Sequence, residues 1–457
     1  MRIAGIFACA LAAFLLCGTV FAQETAAPAA SDAEMKAQLE KASADLGAAM
    51  RRIEELEAKV GAVCIQMDAA NKDVSSLSGQ MKTLEDQSRV TSAPPVAGCL
   101  TPYGYIKFDM IYDDTRSSGT DYTAFALPDT AKYGNDKYFS MTARQTRFGV
   151  NIAGPDVEGA TSSGKIEIDF YAPASVENKP ELMLRQAYWQ LAYPNWSILA
   201  GQTWEVMSPL APNSINYAYL ALQGNAGYRK PMLRYERKDA VWGDKTLQTD
   251  LALVRGIGSS TFSTASLDDQ ASDAAWPVIE ARAGLSFPTS VGRPMAFGIS
   301  GHIGQEEYDE TDLASGPEYM TYSGNLDWVV PISKAFDFTG EFFVGRNMDA
   351  YTGGIGQGVN TDLGKPIDAI GGWGQLAYHP DAKWYFSVGA GIDDPDNADL
   401  SANFNRACNA VYFANTMYNI NARTRVGVEV SFQDTQYVYV GADGDNVRVQ
   451  GSLQYNF

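Results

Sequence analysis

The chain has 457 residues, more than one ordinary soluble domain needs, and its 54 acidic and 35 basic side chains give a formal charge of −19. That balance argues against nucleic acid as a partner and for an acidic surface facing water. Five cysteines and two histidines at irregular spacing argue against a disulfide framework and a Cys/His metal centre.

Met1-Arg2-Ile3, the apolar run from Ala4 to Cys17, and Val20-Phe21-Ala22 form the charged, hydrophobic and small-residue parts of a signal peptide over residues 1–22. Leu16 before Cys17 is bulkier than lipoprotein processing prefers, so Cys17 is read as part of the leader. Cleavage after Ala22 leaves Cys64, Cys99 and Cys408, read as unpaired thiols, with an inter-chain Cys64/Cys99 pair as the alternative. No other apolar run reaches about 18 residues, so a membrane-embedded form would have to be a closed barrel.

Residues 23–90 read as a coiled coil. Leu39, Leu46, Ile53, Val60, Met67, Val74 and Met81 hold one heptad position, and Ala42, Ala49, Leu56, Val63, Ala70, Leu77 and Leu84 hold the other. At about 1.5 Å per residue the rod would be roughly 70 Å long. Such a seam implies an oligomer without setting its strand number, and an intramolecular helical hairpin would need a turn that the run does not contain. Residues 91–100 form a linker, because Pro94 and Pro95 cannot continue the helix.

From residue 101 to 457 the texture turns to Gly, Tyr, Phe, Trp and Asn with alternating polarity. The last strand is the clearest: Val447, Val449, Leu453, Tyr455 and Phe457 share one face and Arg448, Gln450, Ser452, Gln454 and Asn456 the other. Sixteen such segments are counted between Thr101 and Phe457. Tight turns at Tyr193-Pro194-Asn195, Pro331 to Lys334, His379 to Ala382 and Asn419 to Asn421 follow even-numbered segments, while long polar connections such as 115–136, 207–227, 257–275 and 347–365 follow odd-numbered ones. Short turns at one end and long loops at the other are the signature of an outer-membrane barrel, and a soluble sandwich has no reason to segregate them. The fold class expected is an all-β transmembrane barrel of sixteen antiparallel strands behind an N-terminal coiled-coil extension, with the extension in the periplasm.

Tyr103-Gly104-Tyr105-Ile106-Lys107-Phe108-Asp109, Thr146-Arg147-Phe148-Gly149, Leu184-Arg185-Gln186-Ala187-Tyr188 and Gly201-Gln202-Thr203-Trp204 resemble the DcaP-like trimeric porins of Gram-negative outer membranes, and the similarity covers almost the whole mature chain. The resemblance implies a homotrimer with one pore per subunit, selective for small anions such as dicarboxylates. It also implies a lumenal loop in the region from Met207 to Gly227, where no residue-by-residue match is made.

Alternation assigns the pore lining independently. Lys107, Arg147, Arg425 and Arg448 face inward on four consecutive staves, with Arg185, Arg234 and Arg282 extending the basic side and Arg423 grouped with them. Asp109 lies beside Lys107, while Asp327, Asp337 and Glu341 face inward across the barrel. Two readings stand together: a basic wall facing an acidic wall, with a field that orients a passing solute, or local neutralisation of Lys107 by Asp109 and of Arg425 by Glu429. Arg144 falls on the outward parity. Inward Gly149, Gly284, Gly298, Gly389 and Gly427 suggest an open lumen.

No catalytic set emerges, since His302 and His379 lack neighbouring ligands and no nucleophile and base are paired. Residues 353–358 read as a flexible external loop rather than a phosphate loop. No cofactor is expected; the acidic loops from Asp393 to Asp399 and Glu306 to Glu310 read as solvated, with Ca²⁺ or Mg²⁺ bridging to lipopolysaccharide as the sharper alternative. The functional expectation is a passive porin for small hydrophilic solutes, in contact with lipopolysaccharide and outer-membrane lipid. The rival is an outer-membrane tether whose coiled coil contacts peptidoglycan.

Overall fold

The computed structural model describes residues 99–457 apart from 120, 131, 133–135, 173–178, 257–273 and 309–317. The expected leader, heptad segment, Pro94-Pro95 break, Cys64, and Asp309 and Glu310 of the acidic run lie outside the described residues.

Sixteen staves follow in chain order: β1 (Cys99–Asp113), β2 (Tyr138–Thr142 continued by Arg147–Ala153), β3 (Thr161–Ala172), β4 (Glu181–Ala192), β5 (Trp196–Trp204), β6 (Arg229–Val241), β7 (Lys245–Val254), β8 (Val278–Phe287), β9 (Met295–Glu307), β10 (Glu318–Pro331), β11 (Phe336–Arg346), β12 (Asp368–Tyr378), β13 (Trp384–Pro395), β14 (Arg406–Asn419), β15 (Thr424–Tyr437) and β16 (Gly444–Asn456). Each pairs antiparallel with its chain neighbour. β1 closes on β16 with Lys107 opposite Gln454 and Asp113 opposite Arg448, so the expected barrel is the one found.

The two-residue period produces two unlike faces. Ile106, Phe108, Met110, Leu326, Val428, Val430, Val449 and Leu453 are exposed on the outer wall, whereas Lys107, Asp109, Asp327, Glu429 and Gln450 on alternate positions are buried within. Apolar out and polar in is stable only where lipid surrounds the wall and a polar lumen lies inside. At the short-turn rim, aromatic rings form a girdle: Phe336 stacks on Tyr378 at 4.4 Å, Trp384 meets Tyr418 at 4.6 Å, and Tyr193 stacks on Trp196 at 4.1 Å.

Two irregularities break the alternation. β2 is interrupted at 143–146, and the break turns Arg144 away from lipid: it pairs with Asp121 at 3.1 Å, donates to the Phe170 and Ala172 carbonyls, and lies 4.5 Å over the Tyr171 ring. That resolves its outward parity. In β4 a bulge opposite Glu167 and Ile168 lets Arg185 and Gln186 both turn inward, which is why this strand alternates poorly in sequence. The Leu184 carbonyl is satisfied from the outer face, where the Gln202 amide donates to it at 2.8 Å.

Candidate functional site

The lumen is occupied by the loop of residues 205–228, which leaves β5, crosses the barrel and returns to β6. Its root is clamped: Glu205 accepts from the Tyr228 backbone and faces Lys230 at 3.6 Å, and Val206 N–H donates to Glu280 at 3.1 Å. Burial pushes the Glu205 carboxyl well up, against the opposing pull of the Lys230 ammonium. Beyond the root, Val206 and Met207 pack with Met232, Val254, Val278 and Tyr351, an apolar core inside a nominally polar lumen.

The tip is held on the far wall. Leu210 N–H donates to Glu341 at 2.7 Å, Asn213 N–H to Gln375 at 2.8 Å, and Ile215 N–H to Glu429 at 2.7 Å, while the Ile215 carbonyl accepts from Lys107 at 3.0 Å. On the return, the Tyr217 hydroxyl reaches Asp169 and the Tyr219 hydroxyl accepts from Gln145 at 2.9 Å. Burial pushes the Tyr217 hydroxyl up, so it stays a neutral donor.

Two further loops enter from the same end. Thr123 and Ala124 of the 114–137 connection offer carbonyls to Gln223 and Gln433, and the Thr352 and Tyr351 carbonyls of the 347–367 connection accept from Leu222 and Gly227 N–H. Ala124, Leu222 and Ile355 meet in one apolar cluster, one residue from each loop. The glycine-rich stretch 353–358 is therefore packed rather than external and free. Its backbone N–H groups at Gly354 and Ile355 donate to Asp393 at 3.0 and 2.9 Å, so the anion they hold is a carboxylate of the chain itself. Asp396 accepts from Ala398 N–H within the loop and Asp399 pairs with Lys365, while Asp394 and Asp396 stay exposed, so of this acidic run only Asp393 is taken into the interior.

A cavity of about 310 Å³ lies against the loop tip, bordered by Lys107, Arg147, Arg425, Tyr105, Tyr219 and Tyr385 among others, and no carboxylate side chain lines it. Register sets the heights. Lys107 and Arg425 both face Gln454 and share one level; Arg147, opposite Tyr105, lies nearer the short-turn rim; Arg448, opposite Asp113, lies toward the long-loop end.

The charges differ in how they are held. Arg448 makes a bidentate pair with Asp113 at 2.8 Å and Lys107 meets Asp109 at 3.2 Å. Arg185 is taken by Glu167 and Asp169 at 2.9 and 2.6 Å. Arg147 stands 3.8 Å from both of those carboxylates, with Nε and Nη2 lacking hydrogen-bond partners. Arg425 donates to Asn419 at 2.8 Å and, among the described residues, has no carboxylate within ion-pair distance; the same holds for Arg234 on β6. Arg423 is exposed in the turn before β15, not inward.

The acidic side is also locally occupied. Asp327 binds Arg282 at 2.7 Å, Asp337 binds Arg293 and His379, and Glu341 holds Leu210 and Trp373. The inward glycines make room for such neighbours instead of leaving the lumen open: a Cβ at Gly284 would strike the Arg282 guanidinium, one at Gly298 the same group, and one at Gly427 the Ile215 side chain. His302 stacks on Tyr351 at 3.9 Å between Thr321 and Ser323. Asp113 and Asp169 were missed from sequence, although both share the parity of inward neighbours, because ion pairing depends on register.

A sixteen-stranded antiparallel barrel with a lipid-facing apolar wall and a lumenal loop is the porin fold of outer-membrane channels. The chain is similar to the outer-membrane channel DcaP of Acinetobacter baumannii (19% identity, TM-score 0.63, covering 80% of this chain and 99% of that one). It is also similar to OmpF of Salmonella typhi (14%, 0.51, 80% and 100%) and to an anion-selective porin of Comamonas acidovorans (11%, 0.50, 79% and 100%). At these identities the likeness is one of fold. No protein-family model and no curated protein matches the chain.

Proposed function

We propose that the protein is an outer-membrane diffusion channel for small hydrophilic solutes, with a preference for small anions such as dicarboxylates. The supporting observation is the cavity at the loop tip, where, among the described residues, the charged side chains lining the space are Lys107, Arg147 and Arg425. Arg425 makes no ion pair among the described residues and donates to Asn419, and Arg147 is held by Glu167 and Asp169 only at 3.8 Å, so an anion at this wall meets a guanidinium that no carboxylate neutralises. A carbohydrate-like neutral solute gains less, and a cation is repelled. On this reading the short-turn rim faces the periplasm, the N-terminal segment lies in the periplasm, and three chains assemble as a homotrimer.

The test is a planar bilayer recording under a KCl gradient. An anion-selective reversal potential that moves toward zero in Arg425→Ala supports the reading. Cation selectivity in the wild-type protein would remove the anion preference and keep the channel; an inserted, folded protein with no conductance would favour an anchoring role.

A further inference from the structure

Asn415, Glu429 and Gln450 are cross-strand neighbours on β14, β15 and β16, and all three face inward. Together they offer an amide donor, a carboxylate acceptor and an amide donor in a row. The loop tip opposite presents the complement. The Asn213 carbonyl accepts from Asn415 at 2.6 Å, Ser214 Oγ and Ile215 N–H donate to Glu429 at 2.8 and 2.7 Å, and the Ile215 carbonyl accepts from Gln450 at 3.3 Å. Asn415 also donates to Glu429 at 2.9 Å, so the ledge is braced within itself. A loop tip in mid-lumen has no strand partner, and its peptide groups need acceptors and donors from somewhere; this ledge supplies them as an edge strand would.

We propose that Glu429 is the positioning residue of the constriction: by holding the Ser214-Ile215 peptide against the wall it sets the size of solute the channel admits. Glu429 does not line the cavity and acts only through the loop. Gly427, two residues earlier on the same face, keeps the place of the Ile215 side chain free, since a Cβ there would lie 2.8 Å from Ile215 Cδ1. Glu429, Gly427 and Ile215 thus form one seat for the tip. The inference rests on the channel reading but not on its anion preference.

The experiment measures permeation of neutral oligosaccharides of increasing length into proteoliposomes. Glu429→Ala is expected to shift the exclusion limit upward and to increase conductance. Glu429→Gln removes the same charge and keeps an acceptor for Ile215 N–H and Asn415, while its new amide, in the place of the oxygen that meets Ser214, can donate to the Ser214 hydroxyl; its limit is expected to stay near that of the parent. This contrast separates position from charge. Ile215→Pro deletes the loop's donor and leaves the wall strands unaltered, so it must also shift the limit upward if Glu429→Ala fails to fold. An unchanged limit in folded, conducting Glu429→Ala or Ile215→Pro overturns the proposal. A parent that conducts nothing removes the channel reading and the proposal with it.

Discussion

Arg425 and Arg448 stand on adjacent strands, both turned into the barrel, yet substitution should affect them differently. Arg448 is 1% exposed and bonded through two nitrogens to Asp113, also 1% exposed, so the pair contributes little field to the solute path. Removing Arg448 leaves Asp113 as an uncompensated buried charge, a change of about 3–5 kcal/mol in comparable sites. Arg448→Ala is therefore expected to lower the melting temperature of the folded form on unheated gels while shifting the reversal potential less than Arg425→Ala does. The reverse order would show that the Asp113 pair opens in the conducting protein. Alternation made both side chains legible as inward, because period two needs no knowledge of the partner strand. It could not distinguish them, since the Asp113 contact exists only through the register of β1 against β16, the first and last staves in the chain.

Among elements, the strands were readable from their own pattern and the inserted loops were not, the lumenal loop at 207–227 being expected only through the family resemblance, for one physical reason. A lipid-facing stave must carry apolar residues at every second position over about 9–11 residues, and that pattern is local. A loop that folds inward is polar like one that folds outward, and its partners are wall side chains distant in sequence. The 347–367 connection is an example: its glycines read as external freedom, but Gly354 and Ile355 adopt positive φ of 63° and 52° so that their N–H groups converge on Asp393. Asp393→Ala leaves both donors buried and unpaired, at about 1–3 kcal/mol each. The loop is expected to become cleavable by chymotrypsin near Tyr351 in the intact barrel, whereas Asp393→Asn, which keeps one acceptor, should resist more. Equal resistance in all three would mean that the apolar contact of Ala124, Leu222 and Ile355 holds the loop unaided. Bulges escaped detection in the same way, since the doubled inward turn at Arg185 and Gln186 looks in sequence like loss of pattern.

For the whole molecule the decisive step is closure, because an open sheet edge cannot be satisfied in lipid. Closure here joins residues some 350 positions apart, a non-local contact whose loop entropy precedes any gain. Its lower corner is built by Gly104 and the terminal residue: Phe457 N–H donates to the Gly104 carbonyl at 3.1 Å, and the ring lies over Gly104 while meeting Phe148 at 5.7 Å. A Cβ on Gly104 would press hardest on the Arg147 backbone carbonyl and would also lie 2.8 Å from the Phe457 ring. The strain therefore falls on the junction of β16, β1 and β2 at once, and no flexible side chain on the β2 side can yield. Gly104→Val is expected to reduce the fraction of heat-modifiable folded barrel during refolding into detergent or lipid. Phe457→Ala should have a milder effect, since that ring is 45% exposed and its loss spares the backbone bond. Adding the second change to the first tests the geometry: Gly104→Val with Phe457→Ala should recover little of the yield, because the Arg147 carbonyl stays in the way. Full recovery would assign the clash to the Phe457 ring, and so to the β16 side of the junction rather than the β1/β2 seam.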